Sequence, residues 1–360
     1  MKSEYREFYS QSRIDKVISL SMAFIAFVSA VLPKKKGLYI YGSMWGYDIA
    51  DNPKYAFLYD ESAIEKYFLT KNKNLLGSVR YDKVKPVYMY SFQGVMLQLR
   101  AEKAFFSHGV FDFIPSLVWG ARKINLWHGV PMREIGPDYD WAGDGKLKKK
   151  IKILFYRVFG WAYYMSCDEV WVPFRGLKEN YKRFFRVSRP EISIKKQPRN
   201  ECYHKNKARE RSKKILFAPT YHTVDGRGFN ISSFFQNIGL YDQELIDMLD
   251  ASGFKLVIRP HPIDLEVFRS ANIPLNVEID FTEDLYEALG GYKGIVTDFS
   301  SVLLDGIEIG SPVARILLPN DEREKTIHVS IRKYVKVYST IYEAICSLVS
   351  RPTEHMVDSL

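Results

Sequence analysis

Short apolar runs alternate with longer amphipathic stretches along most of the chain. That rhythm predicts parallel sheets covered on both faces by helices. In the first half, Leu38–Tyr41, Lys103–Phe106, Lys123–Trp127, Glu169–Val172 and Glu191–Lys195 read as strands, with helical spacing between several of them, as over Leu177–Phe185. A charged break, KNKARERSKK at Lys205–Lys214, interrupts the pattern and predicts a linker. A second alternating set follows in Ile215–Phe217, Phe254–Ile258, Val277–Phe281, Gly294–Thr297 and Pro312–Leu317. The expected class is α/β, with two Rossmann-type domains facing a central cleft and ligands at strand C-terminal ends. The expected boundaries are 1–204, with an N-terminal helix within 1–36, then a linker at 205–214 and a second domain at 215–360.

Two stretches break the rhythm. Val17–Leu32 is the long apolar run, about sixteen residues against the roughly twenty that a bilayer span requires. Arg13 and Lys16 precede it, and Lys34, Lys35 and Lys36 follow. It reads as a docked or interfacial helix, as a short span or signal anchor, or as a cleaved signal. The basic flanks and the strand that starts at once favour the first reading. Lys146–Met165 sets Lys148, Lys149 and Lys150 ahead of Trp161, Tyr163 and Tyr164. A basic helix with interfacial aromatics suits an anionic membrane surface. The alternative is a half-buried helix with a solvated lysine face.

Composition narrows the partners. A chain of 360 residues with 46% apolar content can build two cores. Its net charge of +10 calls for nucleic acid, an anionic membrane face or a phosphorylated substrate. With no RNP, zinc-finger or helix-turn-helix signature, nucleic acid ranks last. Cys167, Cys202 and Cys346 lack CxxC spacing, which argues against a disulfide framework or zinc site and for a reducing compartment. Carboxylates are not clustered at metal-ligand spacing, so neither a metal nor a cofactor is expected.

The strand ends carry the candidate chemistry. His128 stands in LWHGVP, where Gly129 allows close backbone approach and Pro131 fixes the turn. Its ordinary reading is a core histidine; at a strand end it can serve as a base. His261 lies between two prolines in RPHP, and Arg259 offers a fork suited to phosphate oxygens. In KGIVTDFSSVLLDGIEIGS a strand, a polar turn and a helix follow in sequence. Ser300 or Ser301 is placed to cap that helix and turn N–H groups towards an anion. Asp298 is placed to orient a neighbour or to cap the turn. Thr220 is placed to donate a hydroxyl or simply to end its strand.

Several pieces together resemble the CDP-glycerol glycerophosphotransferases of teichoic-acid and capsule synthesis. They are DNPKYAFLY at 51–59, LWHGVPMREIG at 126–136, QPRNE at 197–201, FAPTYH at 217–222, RPHP at 259–262 and TDFSSVLLDGIEIGSPV at 297–313. The resemblance implies a GT-B-like fold, a CDP-polyol donor and a polyprenyl- or glycolipid-linked acceptor at the cytoplasmic membrane face. It implies His128 as base, and His261, Ser300 and Ser301 around the donor pyrophosphate. Thr220, Arg259 and Asp298 would support them, together with Arg199 and His222. Two positions depart from the family pattern. His222 follows Tyr221 where an arginine is usual, and Gln197 and Glu201 flank the PRN turn in place of Gly-x and Asp. A nucleotide-sugar glycosyltransferase on the same fold is the rival reading, and a non-catalytic membrane scaffold a more distant one.

Overall fold

The computed structural model describes residues 23–78, 83–201, 203, 212–221, 230–261, 264–282, 284–318 and 335–350. The chain divides into two compact units, one of residues 1–130 and 135–201, the other of 131–134 and 202–360.

The first unit is built on seven parallel strands: β1 (Lys35–Tyr41), β2 (Glu65–Thr70), β3 (Val87–Tyr88), β4 (Ala101–Phe106), β5 (Arg122–Asn125), β6 (Glu169–Val172) and β7 (Glu191–Ile194). Their spatial order is β3-β2-β1-β4-β5-β6-β7. β1 shows why: its last five residues are all buried, as a strand covered on both faces requires. Tyr41 stacks on Phe105 of β4 with ring centroids 4.9 Å apart. β2 and β3 escape the sequence pattern because β2 opens on Glu65 and Lys66 and buries only its last three residues, while β3 is two residues long.

The helices of this unit are α1 (Ala23–Val31), α2 (Asp51–Tyr59), α3 (Phe92–Arg100), α4 (Pro137–Asp140), α5 (Lys146–Val158) and α6 (Lys178–Phe184). α1 carries the described part of the N-terminal apolar run. The Ser29 hydroxyl donates to the Leu117 carbonyl at 2.7 Å, while Phe24, Phe27 and Val31 stay exposed. Among the described residues no helix is long and apolar enough to cross a membrane.

The second unit repeats the plan with six parallel strands: β8 (Lys214–Phe217), β9 (Lys255–Ile258), β10 (Val277–Ile279), β11 (Gly294–Thr297), β12 (Val313–Ile316) and β13 (Val337–Tyr338). Their order is β10-β9-β8-β11-β12-β13. α7 (Ile231–Asn237), α8 (Gln243–Ser252), α9 (Leu265–Arg269), α10 (Val302–Glu308) and α11 (Ile341–Val349) accompany them. Phe217, Phe234, Phe235, Phe268 and Ile345 share one core cluster.

Counted from its own first strand, each sheet begins 3-2-1-4-5-6, the order of doubly wound dinucleotide folds. The strands stay parallel, but the direction in which successive strands are added reverses between β1 and β4 in one unit and between β8 and β11 in the other. Open α/β sheets take their ligands beyond the strand carboxyl ends at such reversals.

Candidate functional site

Beyond β5 the chain leaves the sheet, so the carbonyls of Leu126, Trp127 and His128 need partners other than a ladder. Two residues of the first unit supply them. The Asn52 amide donates to the Leu126 and Trp127 carbonyls at 3.1 and 2.9 Å, and the Arg199 guanidinium donates to the His128 carbonyl at 3.1 Å. The Arg199 N–H donates to the Asn52 side-chain oxygen at 3.1 Å, and Gln197 accepts from the Asn52 amide at 3.3 Å. Gln197, a departure from the family pattern, thus joins the clamp. Asn52 and Arg199 are both fully buried. Asp51 lies 3.5 Å from the Arg199 guanidinium.

Within this clamp the tautomer of His128 is determined. Its Nδ1 lies 3.2 Å from the Ser107 carbonyl, which can only accept, so Nδ1 carries the hydrogen and Nε2 holds the lone pair. One ring face packs on Trp127 at 4.9 Å and another on His108 at 4.3 Å, yet the residue remains exposed to solvent. Crowding by protein atoms pushes its pKa down, the Ser107 bond opposes this and the Arg199 charge adds to it. Solvent access makes that shift weaker than in a sealed group, but both point to a neutral imidazole at pH 7.

His108 is the complement. It is buried, and its Nδ1 accepts from the Met44 N–H at 3.3 Å and lies 2.8 Å from the Ser107 hydroxyl. The hydrogen therefore sits on Nε2, 4.0 Å from Asp51. Burial holds its pKa well below the ordinary value, and the neighbouring His128 adds to the effect. Asp112, wholly buried, accepts from the N–H groups of Trp45, Ser107 and His108 at 2.6, 2.9 and 3.0 Å. Those backbone bonds oppose the rise that burial imposes on its carboxyl, which settles at about 6.

Backbone strain concentrates here. Met44, Trp45, Asp51 and Trp127 all adopt positive φ, a conformation that costs non-glycine residues about 1–2 kcal/mol each. Gly129, at φ 124°, occupies a conformation that a side chain would strain further. Pro131, half-buried, follows in the 131–134 segment.

The second unit's reversal is organised by a carboxylate. Asp298 is buried, and one of its oxygens accepts from the Thr220 N–H and hydroxyl, both at 2.7 Å, and from the Phe299 N–H at 2.6 Å. The Arg315 side chain donates to the Asp298 carbonyl at 2.7 Å, and the Thr297 hydroxyl to the Ala218 carbonyl at 2.6 Å. Thr220 therefore spends its hydroxyl hydrogen on Asp298 and can offer an incoming group only lone pairs. Ser301 occupies the cap position of α10 without a side-chain bond, while the Ser300 hydroxyl accepts from the Val302 N–H at 3.4 Å. Both serines are half-buried.

His261 is half-buried beside Tyr221, ring centroids 5.4 Å apart, and burial lowers its pKa against the opposing pull of Asp264. Arg259 differs from the expected open fork. Its guanidinium is bound to Asp280 at 2.7 Å and to the Thr282 hydroxyl and carbonyl at 2.6 Å each. His222 lies outside the described residues.

On the first unit, α5 exposes Leu147, Ile151, Leu154 and Val158 at 59–72% along one face. Lys148, Lys149 and Lys150 are on the same helix, with Lys148 2.6 Å from Asp144. The helix stops at Val158, so the aromatics that follow fold inward. Trp161 packs half-buried against Trp119 and Phe159, and Tyr163 is buried.

The sequence pattern ends a strand at Phe106 and includes DNPKYAFLY at 51–59, but it assigns no role to His108, Asp51, Asn52 or Asp112. The signal available was the polar tripeptide opening a helix otherwise rich in aromatics.

A family model described as CDP-Glycerol:Poly(glycerophosphate) glycerophosphotransferase matches residues 24–314, most of the chain. The chain belongs to this family. It is a transferase of the CDP-glycerol glycerophosphotransferase type. Among solved structures, the wall teichoic acid polymerase TagF is similar over 97% of this chain and 89% of its own, at 15% identity and a TM-score of 0.61. A histidine-to-alanine variant of TagF is similar over the same shares, at 16% identity and a TM-score of 0.60. A glycotransferase of kitacinnamycin is similar over 91% of this chain and 94% of its own, at 11% identity and a TM-score of 0.50. These likenesses place the glycerophosphotransferase in the GT-B class of fold. No curated protein matches the chain. Among the described residues no group of three or more His, Cys, Asp or Glu side chains is placed to hold a metal ion.

Proposed function

We propose that this enzyme transfers glycerol phosphate from CDP-glycerol, or a related CDP-polyol, to a hydroxyl of a lipid-linked acceptor. The product would extend a teichoic-acid or capsule-type polymer. The acceptor hydroxyl gives its proton to Nε2 of His128 as its oxygen bonds to the β-phosphorus. The bond from that phosphorus to the bridging oxygen breaks, and CMP leaves with the oxygen. Positioning and charge stabilisation carry most of such a transfer, and a neutral imidazole of fixed tautomer is a suitable base.

Ser300, Ser301 and His261 are the groups assigned to the donor phosphates, with Thr220 and Asp298 holding the turn. Arg259 is assigned a supporting part, because Asp280 and Thr282 already engage it. The enzyme would work peripherally at the cytoplasmic face of a bacterial membrane, docked through the apolar face of α5, Lys148, Lys149 and Lys150, and the exposed face of α1.

One observation carries the reading: the Ser107 carbonyl leaves His128 with its lone pair on Nε2. The test is CMP release from CDP-glycerol by His128→Ala. Turnover should fall about 10²–10⁴-fold, the usual worth of a positioned base, with donor KM little changed. Turnover near that of the parent would reject the role.

A further inference from the structure

Arg157 of α5, Lys182 of α6, and Arg186, Arg189, Pro190 and Ile192 line an open cavity of about 340 Å³ in the first unit. Two carboxylates answer its four cations: Asp138, 2.9 Å from Arg186, and Glu179, 2.6 Å from Lys182. Among the described residues, four against two leaves two positive charges uncompensated. Arg157 is braced by donating to the Arg186 carbonyl at 3.2 Å, which fixes its place without neutralising it. Arg189 is exposed and forms no ion pair among the described residues. Its backbone is left-handed at φ 52°, closing the end of α6 through a bond to the Phe185 carbonyl at 2.8 Å. The Arg186 Nε–H is buried without an acceptor.

Guanidinium forks match phosphate oxygens, and two surplus charges suit a monoester or diphosphate. Arg157 also borders the apolar face of α5, three residues after Leu154 and one before Val158. We propose that this cavity binds the phosphate of a membrane lipid, whose apolar chain lies on the Leu154 and Val158 side. The proposal rests on the membrane reading above and adds to it a built headgroup site in place of diffuse attraction.

Sedimentation with phosphatidylcholine vesicles containing phosphatidic acid or phosphatidylglycerol tests it. The variant is the double change Arg157→Gln and Arg189→Gly, glycine being suited to the left-handed backbone, with thermal unfolding as a check of the fold. Removing two cations should weaken binding to phosphatidic-acid vesicles about tenfold or more, and binding to phosphatidylglycerol vesicles less. Soluble pyrophosphate should compete with the parent. Lys148→Gln, Lys149→Gln and Lys150→Gln together should weaken both lipids alike. If the double variant binds as the parent does, or loses both lipids equally, the headgroup site is overturned while membrane docking stands. If the parent binds pyrophosphate but no vesicle, the lipid assignment fails together with the membrane reading.

Discussion

Beyond β4 and β5 the polar groups are mostly buried and charged or aromatic. Arg199, Asp51, His108 and Asp112 hold one another and the backbone around a single exposed imidazole. Beyond β8 and β11 they are hydroxyls and amides gathered on one carboxylate, with the serines left half-open. The sheet order is the same in both units. The first arrangement determines where a proton sits on His128, and the second leaves two serine hydroxyls half-open to solvent. A shared fold has therefore been given a rigid end and an adaptable one.

The contrast can be broken at the Asn52 clamp, where substitution should have the largest effect of those that leave His128 in place. Asn52→Ala strips three buried backbone groups of their partner and should cost about 2–4 kcal/mol in urea unfolding. Turnover should drop with it, while donor KM stays near that of the parent. An effect on KM alone would mean that the two ends are not separate in role. Asp298→Ala should cost less, about 1–3 kcal/mol, because its partners lie nearer the surface. Its kinetic effect should be the reverse, a donor KM raised about tenfold with turnover less altered.

Acid sharpens the comparison further. The folded pKa of His108 lies below that of the unfolded chain, about 6.5, so below that pH the unfolded chain binds a proton that the folded chain refuses. This contribution is complete above about pH 6.5 and is lost as pH falls. Its slope approaches about 1.4 kcal/mol per pH unit for one proton. Urea midpoints measured between about pH 7 and pH 5 should show it, and His108→Gln should flatten the curve. The smallest effect belongs to the surface. Lys148→Gln, Lys149→Gln and Lys150→Gln together should alter unfolding by less than about 0.5 kcal/mol, and should show mainly in vesicle binding.

The two sheets were legible because parallel strands covered on both faces leave unbroken apolar runs, and Gly294–Thr297 and Glu169–Val172 fall where the pattern puts them. β2 was not, since its charged start hides a strand whose far half alone is buried. Around His128 the sequence pointed to the imidazole but not to what orients it. Asn52 and Arg199 are 147 positions apart, and only the folded sheet brings their bond into being. His108 follows closely on a strand that the pattern reveals, but its stacking on His128 depends on β4 and β5 being neighbours. The ion pair of Arg259 was hidden for the same reason: a free fork and one engaged by Asp280 look identical in a string of letters.

The clamp on the Leu126–His128 carbonyls also dictates an order of assembly. Its closing member, Arg199, is synthesised some seventy residues after the histidine whose carbonyl it grips. A nascent chain thus carries its imidazole on an unsecured loop until the last segment of the first unit has been made and docked. A break in the chain just ahead of Gln197 should therefore lower turnover although His128 itself is intact.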